Sequence, residues 1–203
     1  MAPAAQQTPI EIRREGHESL ASYAAITTAF EVREVVDVER LRSNATLLPV
    51  RAESPTWVKD YDAVPGNDPA SWPSRFDIHR WLLLAAYVGQ VRAGGAVVAV
   101  DSDDVAHLGG RVSFALLWDL RVAPPYRRRG VGRALLAAAE AAARDASCHG
   151  VEVETQDVNV PACRLYAAAG YRLRERTAGA YADAPRETRL IWNKPLAAPR
   201  AIR

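Results

Sequence analysis

The sequence predicts a mixed α/β domain wrapped around one central sheet. Three observations predict it. Trp81–Val88 and Val91–Val100 are apolar, strand-sized and joined by Gly89-Gln90, which reads as a hairpin. Gly130–Ala146 places Val131, Leu135, Ala138, Ala139 and Ala142 at helical spacing, directly after a long strand-like segment, Arg111–Val122. A strand, a short helix and two closing strands then follow.

Taken in order, Met1–Pro9 is rich in Ala, Pro and Gln and reads as a mobile tail. Ile10–Arg14 reads as a short strand or a lead-in, and Glu18–Thr28 as a weak helix. Phe30–Val36 alternates, as a half-buried strand does, and Ala45–Ala52 reads as another strand. Ser54–Asp77 contains Pro55, Pro65, Pro69, Pro73 and Gly66 and reads as a long loop. The hairpin follows, with its second strand interrupted at Gly94-Gly95. Asp101–Gly110 is a polar loop before the Arg111–Val122 strand. After the helix come a strand at Val151–Thr155 and a helix at Pro161–Ala169, whose first turn accepts Pro161. Tyr171–Arg176 and Thr188–Asn193 close the sheet. One domain over residues 10–196 is expected, between tails at 1–9 and 197–203.

Composition excludes several functions. A net charge of +2 gives no field that would argue for nucleic acid. Lys59 and Lys194 are the only lysines, so an arginine run reflects the composition before it reflects a function. No apolar run reaches the ~18 residues of a membrane span. Met1–Thr8 lacks the apolar stretch of a signal peptide, which points to the cytoplasm. Cys148 and Cys163 form no Cys-x-x-Cys motif and the four histidines are scattered, so no metal is expected and both thiols read as reduced.

The chemistry begins at Leu120-Arg121-Val122-Ala123-Pro124-Pro125-Tyr126-Arg127-Arg128-Arg129-Gly130-Val131-Gly132-Arg133. A strand ends, a Pro-containing loop turns, and two glycines open a helix. Helix N-termini present free N–H groups and partial positive charge. Glycines let a bulky anion approach the backbone, and pyrophosphate is the natural occupant. A Walker A loop is excluded because Gly132 is followed by Arg133-Ala134. A dinucleotide fingerprint is excluded because its third glycine is missing. An ordinary loop before an amphipathic helix stays open on these residues alone.

Arg127-Arg128-Arg129-Gly130-Val131-Gly132 resembles the Arg/Gln-x-x-Gly-x-Gly/Ala motif of the GNAT N-acetyltransferase superfamily. Asn159-Val160-Pro161-Ala162-Cys163-Arg164-Leu165-Tyr166-Ala167-Ala168-Ala169-Gly170-Tyr171 resembles that family's second signature. The two stand in the family's order. Val153-Glu154-Thr155-Gln156-Asp157-Val158-Asn159-Val160-Pro161-Ala162-Cys163 is similar to a stretch of streptothricin acetyltransferases.

The resemblance implies a GNAT fold: a mixed, mostly antiparallel sheet of six to seven strands, flanked by helices and splayed at an acetyl-CoA cleft. The splay would lie between Arg111–Val122 and Val151–Thr155. It implies pyrophosphate binding at Arg127, Arg128, Arg129, Gly130, Val131, Gly132 and Arg133, with pantetheine pairing along Leu120, Arg121 and Val122. Asn159 would bind on the cofactor side. Tyr166 would be the general acid, and the N–H of Val122 would meet the oxyanion. An amine near pKa 10 must lose a proton before it attacks. Asp119, Glu152 and Glu154 are candidates to take it, with Asp119 and Glu154 preferred. Trp118 departs from the family, whose members often carry Glu there.

The acceptor is expected to be a small cationic amine such as a streptothricin-type antibiotic. Asp60, Asp62, Asp68 and Asp77 lie among Trp57, Tyr61, Trp72 and Phe76 in the Ser54–Asp77 segment, and carboxylates and aromatic faces attract cations. Trp57, Tyr61, Asp62 and Trp72 are the acceptor candidates. A protein lysine or N-terminal acetyltransferase and a non-catalytic acyl-CoA sensor are the alternatives. Many relatives dimerise, and the closing strands offer an edge for a homodimer.

Overall fold

The computed structural model describes residues 8–45, 47–100 and 113–196. The calls on Met1–Gln7, Thr46, Asp101–Val112 and 197–203 lie outside the described residues. The elements are β1 (Ile10–Glu15), α1 (Leu20–Ala24), β2 (Phe30–Val36), β3 (Val50–Lys59), β4 (Leu82–Val88), β5 (Val91–Ala99), β6 (Phe114–Val122), α2 (Val131–Asp145), β7 (Gly150–Gln156), α3 (Val160–Ala168), β8 (Arg172–Ala178) and β9 (Thr188–Pro195).

Seven strands form one sheet in the order β1-β4-β5-β6-β7-β9-β8. Its ladders are antiparallel except β6–β7, which is parallel. That is the mixed, mostly antiparallel sheet expected. β2 and β3 pair separately, as a two-stranded ladder.

Two expectations are corrected. The strand placed at Ala45–Ala52 is Val50–Lys59, so the loop expected from Ser54 begins only after Lys59. The Ser54–Pro55 peptide is cis, and the exposed β3 takes up the proline where its ladder with β2 shifts register, between Val32↔Trp57 and Glu34↔Ala52. Gly94-Gly95 does not interrupt β5. A Cβ at Gly95 would lie 2.7 Å from the ring of Tyr23, so glycine makes room there for the ring on an unbroken strand.

Apolar side chains fill both faces of the sheet. On one face α2 buries Val131, Leu135, Leu136, Ala139 and Ala143, and α3 adds Val160, Cys163 and Tyr166. On the other, α1 and a 3-10 turn at Pro69–Ser74 bury Tyr23 and Trp72 against Trp81, Leu83 and Leu116. Trp118 packs edge-on to Trp72 at 6.0 Å and to Phe76 at 4.9 Å.

A bulge in β6 decides which residues face which layer. Val97 pairs with Asp119 and Val98 with Leu117, which leaves Trp118 extra. Before it, Ala115 and Leu117 face α2; beyond it, Leu120 and Val122 do. Asp119 and Arg121 are thereby turned to the α1 face.

Candidate active site

β6 and β7 pair at only three positions, Phe114↔Gly150, Ala115↔Val151 and Leu116↔Glu152. Beyond them β6 runs on to Val122 and β7 to Gln156 without a shared ladder. The sheet therefore opens into a cleft whose β6 edge has no strand beside it from Leu117 onward. α3 starts just past the mouth, capped by Asn159, whose Oδ1 accepts from the N–H of Ala162 at 3.2 Å.

At the end of β6 the chain enters α2 through left-handed residues: Arg128 at φ 62° and Gly130 at φ 88°. Gly130 is the N-cap and no side chain caps the helix. Its first N–H groups are thus not engaged by a capping side chain, as an anion site requires. A Cβ on Gly132 would point into the gap, 3.4 Å from Leu165, 3.7 Å from Val122 and 4.0 Å from Leu120. Glycine keeps that gap open. The side chain of Arg127 is not turned to this cradle. It donates to the carbonyls of Val122 at 3.0 Å, Ala29 at 3.1 Å and Thr27 at 3.3 Å, bracing the loop on the segment before β2. Arg128, Arg129 and Arg133 are exposed, with Arg129 over the ring of Tyr126 at 5.9 Å.

The β6 wall carries a compact ionic group. The guanidinium of Arg121, 3 % exposed, donates to Asp119 at 2.6 Å and meets Asp62 at 2.8 Å. It also donates to the carbonyl of Ile26 at 3.2 Å and lies 5.2 Å from the centroid of Tyr23. Burial raises the Asp119 carboxyl above its ordinary value, while Arg121 pulls the other way. The three charged groups sum to one negative charge.

The β7 wall is a row of polar side chains. Val151 and Val153 face α2, so Glu152, Glu154 and Gln156 share the opposite face. Glu152 pairs with Arg174 at 3.1 Å. Glu154 accepts from the phenol of Tyr181 at 2.8 Å. Gln156 accepts from Tyr61 at 2.6 Å, and Asn159 donates to the same phenol at 3.3 Å. Asn159 thus engages Tyr61 and α3 and keeps one amide hydrogen uncommitted. Close by, Lys59 pairs with Glu187 at 2.7 Å.

Tyr61 and Asp62 are consecutive, and they bridge the two walls. Tyr61 reaches β7 and Asp62 reaches Arg121 on β6. Asp60 secures this strap by accepting from Thr28 at 3.0 Å and from the N–H of Asp62 at 3.0 Å. The other residues singled out in Ser54–Asp77 lie elsewhere. Trp72 is 2 % exposed within the aromatic cluster. Trp57 stands on the exposed β3. Asp68 caps the 3-10 turn and Asp77 hydrogen-bonds His79.

Tyr166, on α3, is buried and pushed well above the usual phenol range, first by burial and then by Cys163, Tyr61 and Asp119. The field of Asp119 reaches it from across the cleft. Cys163 is also raised by burial, which suits packing better than nucleophilic attack. Sequence reasoning missed the side chain of Arg121 and the residues Tyr23, Tyr181 and Glu187. No local motif marks them; a carboxylate two residues from an arginine on one strand was the only available signal.

The model of the acetyltransferase (GNAT) family matches residues 50–171. The chain belongs to the GNAT family. Streptothricin acetyltransferase of Escherichia coli is 29% identical over 178 residues, covering 86% of this chain and 90% of that protein. Streptothricin acetyltransferase A of Bacillus subtilis (strain 168) is 46% identical over 54 residues, covering 27% of this chain and 31% of that protein's length. Among solved structures, nourseothricin acetyltransferase superposes with a TM-score of 0.69 at 22% identity, over 93% of this chain and 99% of that one. A Bacillus anthracis str. Ames protein assigned as a streptothricin acetyltransferase, in complex with acetyl coenzyme A, gives 0.68 at 20% identity over 93% and 100%. These two likenesses concern the fold.

Acetyl-CoA is the donor in this GNAT family, and the residues present fit it. The β6 edge is unladdered, the α2 N-terminus has no capping side chain, and Gly132 leaves the connecting gap clear. Among the described residues, no group of His, Cys, Asp and Glu could hold a metal ion, and no helix is long and apolar enough to cross a membrane.

Proposed function

We propose that this protein is an acetyl-CoA-dependent N-acetyltransferase acting on a small cationic amine of the streptothricin type. One observation carries the reading: a single cleft joins the α2 cradle, on one side of the sheet, to two carboxylate-bearing walls on the other.

Acetyl-CoA supplies an activated acetyl thioester. The N–H groups of residues 128–133 hold its diphosphate, with the exposed Arg128, Arg129 and Arg133 adding charge. The free edge of Leu120, Arg121 and Val122 aligns the pantetheine arm, and Asn159 contributes its uncommitted amide hydrogen. The N–H of Val122 faces the carbonyl oxygen on which negative charge develops. Asp119 takes the proton from the ammonium. Burial raises its affinity for that proton, while the Arg121 guanidinium opposes the rise. Tyr166 returns a proton to the departing sulfur, and burial keeps its phenol protonated at neutral pH, as a donor must be.

The relatives' activity supplies the acceptor class, and the strap supplies a physical reason for it: Asp62 belongs to a group of net negative charge, beside the ring of Tyr61, over which Lys59 already lies at 5.3 Å. The outer edge of β8 leaves room for pairing between two copies, which sedimentation would read.

The test is a thiol-release assay with acetyl-CoA on streptothricin, aminoglycosides, polyamines and a lysine peptide. Turnover on streptothricin, reduced roughly 10²–10⁴-fold by Tyr166→Phe, is expected. Turnover on the peptide alone would make the chain a protein acetyltransferase. Tight acetyl-CoA binding without turnover on any amine would make it a sensor.

A further inference from the structure

Charge bookkeeping around the cleft singles out one residue. Asp119 and Asp62 share Arg121. Glu152 has Arg174, and Glu187 has Lys59. Glu154, on the same face and partly buried, is held by the neutral phenol of Tyr181 and by no cation among the described residues. A carboxylate withdrawn from water without a positive partner is an incomplete arrangement, and a cation completes it.

Its place matters as much as its charge. Glu154 lies between Glu152 and Gln156 on β7, beside the strap that Tyr61 fastens to Gln156. Asp119 lies on the facing wall and the same side of the sheet, past the last β6–β7 pair. The cleft therefore has two negative poles, one per wall. The pole on β6 is the Asp62–Arg121–Asp119 group; the pole on β7 is Glu154 alone.

We infer that Glu154 is the anchor for a second, non-reacting ammonium of the acceptor, so that the preferred substrate is a compact dication. Tyr181, from the segment between β8 and β9, is its positioning residue. By donating to Oε1 at 2.8 Å it fixes the carboxylate and leaves the other oxygen for the ligand. The reacting amine is served by Asp119, so the two carboxylates preferred as bases from sequence have separate roles. This inference rests on the acetyltransferase reading above and narrows its acceptor.

The experiment compares a β-lysine amide with the amide of a monoamine of equal length, each with acetyl-CoA, in the wild type, Glu154→Gln and Tyr181→Phe. The readout is the ratio of kcat/KM for the dication to that for the monocation. An ion pair of this burial contributes about tenfold to hundredfold to such a ratio. Glu154→Gln should remove that preference through KM, and Tyr181→Phe should remove part of it. If Glu154→Gln slows both acceptors equally through kcat, Glu154 is a base and the inference falls. If the wild type shows no preference, it also falls. If no amine turns over, the enzyme reading fails separately. Calorimetric binding of the same dication to wild type and Glu154→Gln then decides the anchor: equal affinities would overturn it and a loss on substitution would support it.

Discussion

The phenol of Tyr61 donates to Oε1 of Gln156 at 2.6 Å, joining a segment between β3 and β4 to the far wall of the cleft. The phenol oxygen of Tyr61 in turn accepts from the Asn159 side-chain amide at 3.3 Å. Tyr61→Phe removes both bonds and leaves the ring in place. A loss of about 1–2 kcal/mol in stability is expected by urea denaturation. Acceptor KM should rise roughly fivefold or more, because Asp62, the next residue, loses its fixed approach to Arg121.

Arg121 is the keystone of the β6 wall. Arg121→Met would leave Asp119 and Asp62 facing each other without a counter-charge, at a cost of about 3–5 kcal/mol. Adding Asp62→Asn should recover part of that loss, since one of the two stranded carboxylates is then gone. Thermal melting of the single and double variants at pH 7 checks the order.

Asp119 makes stability depend on pH in a defined direction. Burial raises its folded carboxyl above the ordinary 3.8, with Arg121 and Tyr23 opposing and Asp62 adding to the rise. Between the ordinary and the raised value the folded chain holds more protons than the unfolded one, so stability falls as pH rises through that window. Asp119→Asn should flatten the slope. Asp157, also raised by burial, leaves a residual one. Denaturation at several pH values from 4 to 7 measures it, and in the wild type the acid limb of kcat/KM should lie above the ordinary carboxylate range.

Gly132 separates folding from donor binding. Gly132→Ala adds a methyl 3.4 Å from Leu165, in the gap between β6 and α3. Helix propensity should raise stability by about 0.5–1 kcal/mol. The KM for acetyl-CoA should climb roughly tenfold, because the backbone is no longer open to a bulky anion. Opposite signs in the two measurements are the expected signature.

Much of the fold was legible because its signals are local. Helical spacing from Val131, the Pro161 turn and the alternation of Phe30–Val36 gave boundaries within about two residues of those observed. β3 was not legible: the four prolines and scattered aspartates of Ser54–Asp77 suggest a loop from Ser54 onward, and only pairing with β2 shows that the strand continues past Pro55. The β6 bulge at Trp118 was equally hidden, since it exists only relative to β5. Motifs pointed to the Gly130 cradle and to Tyr166. They could not show that the Arg127 side chain turns away to three carbonyls, or that Arg121 gathers Asp119 with a residue from a distant segment.

Three residue pairs are all that the β6–β7 ladder contributes to joining the two halves of the sheet. The halves behave like the arms of tongs, riveted at one end and held at the other by the Tyr61–Asp62 clasp. A molecule that grips both arms adds its binding free energy to the folded form alone. The melting temperature should then report donor concentration, and a cell's supply of acyl thioester would set how long this protein survives heat.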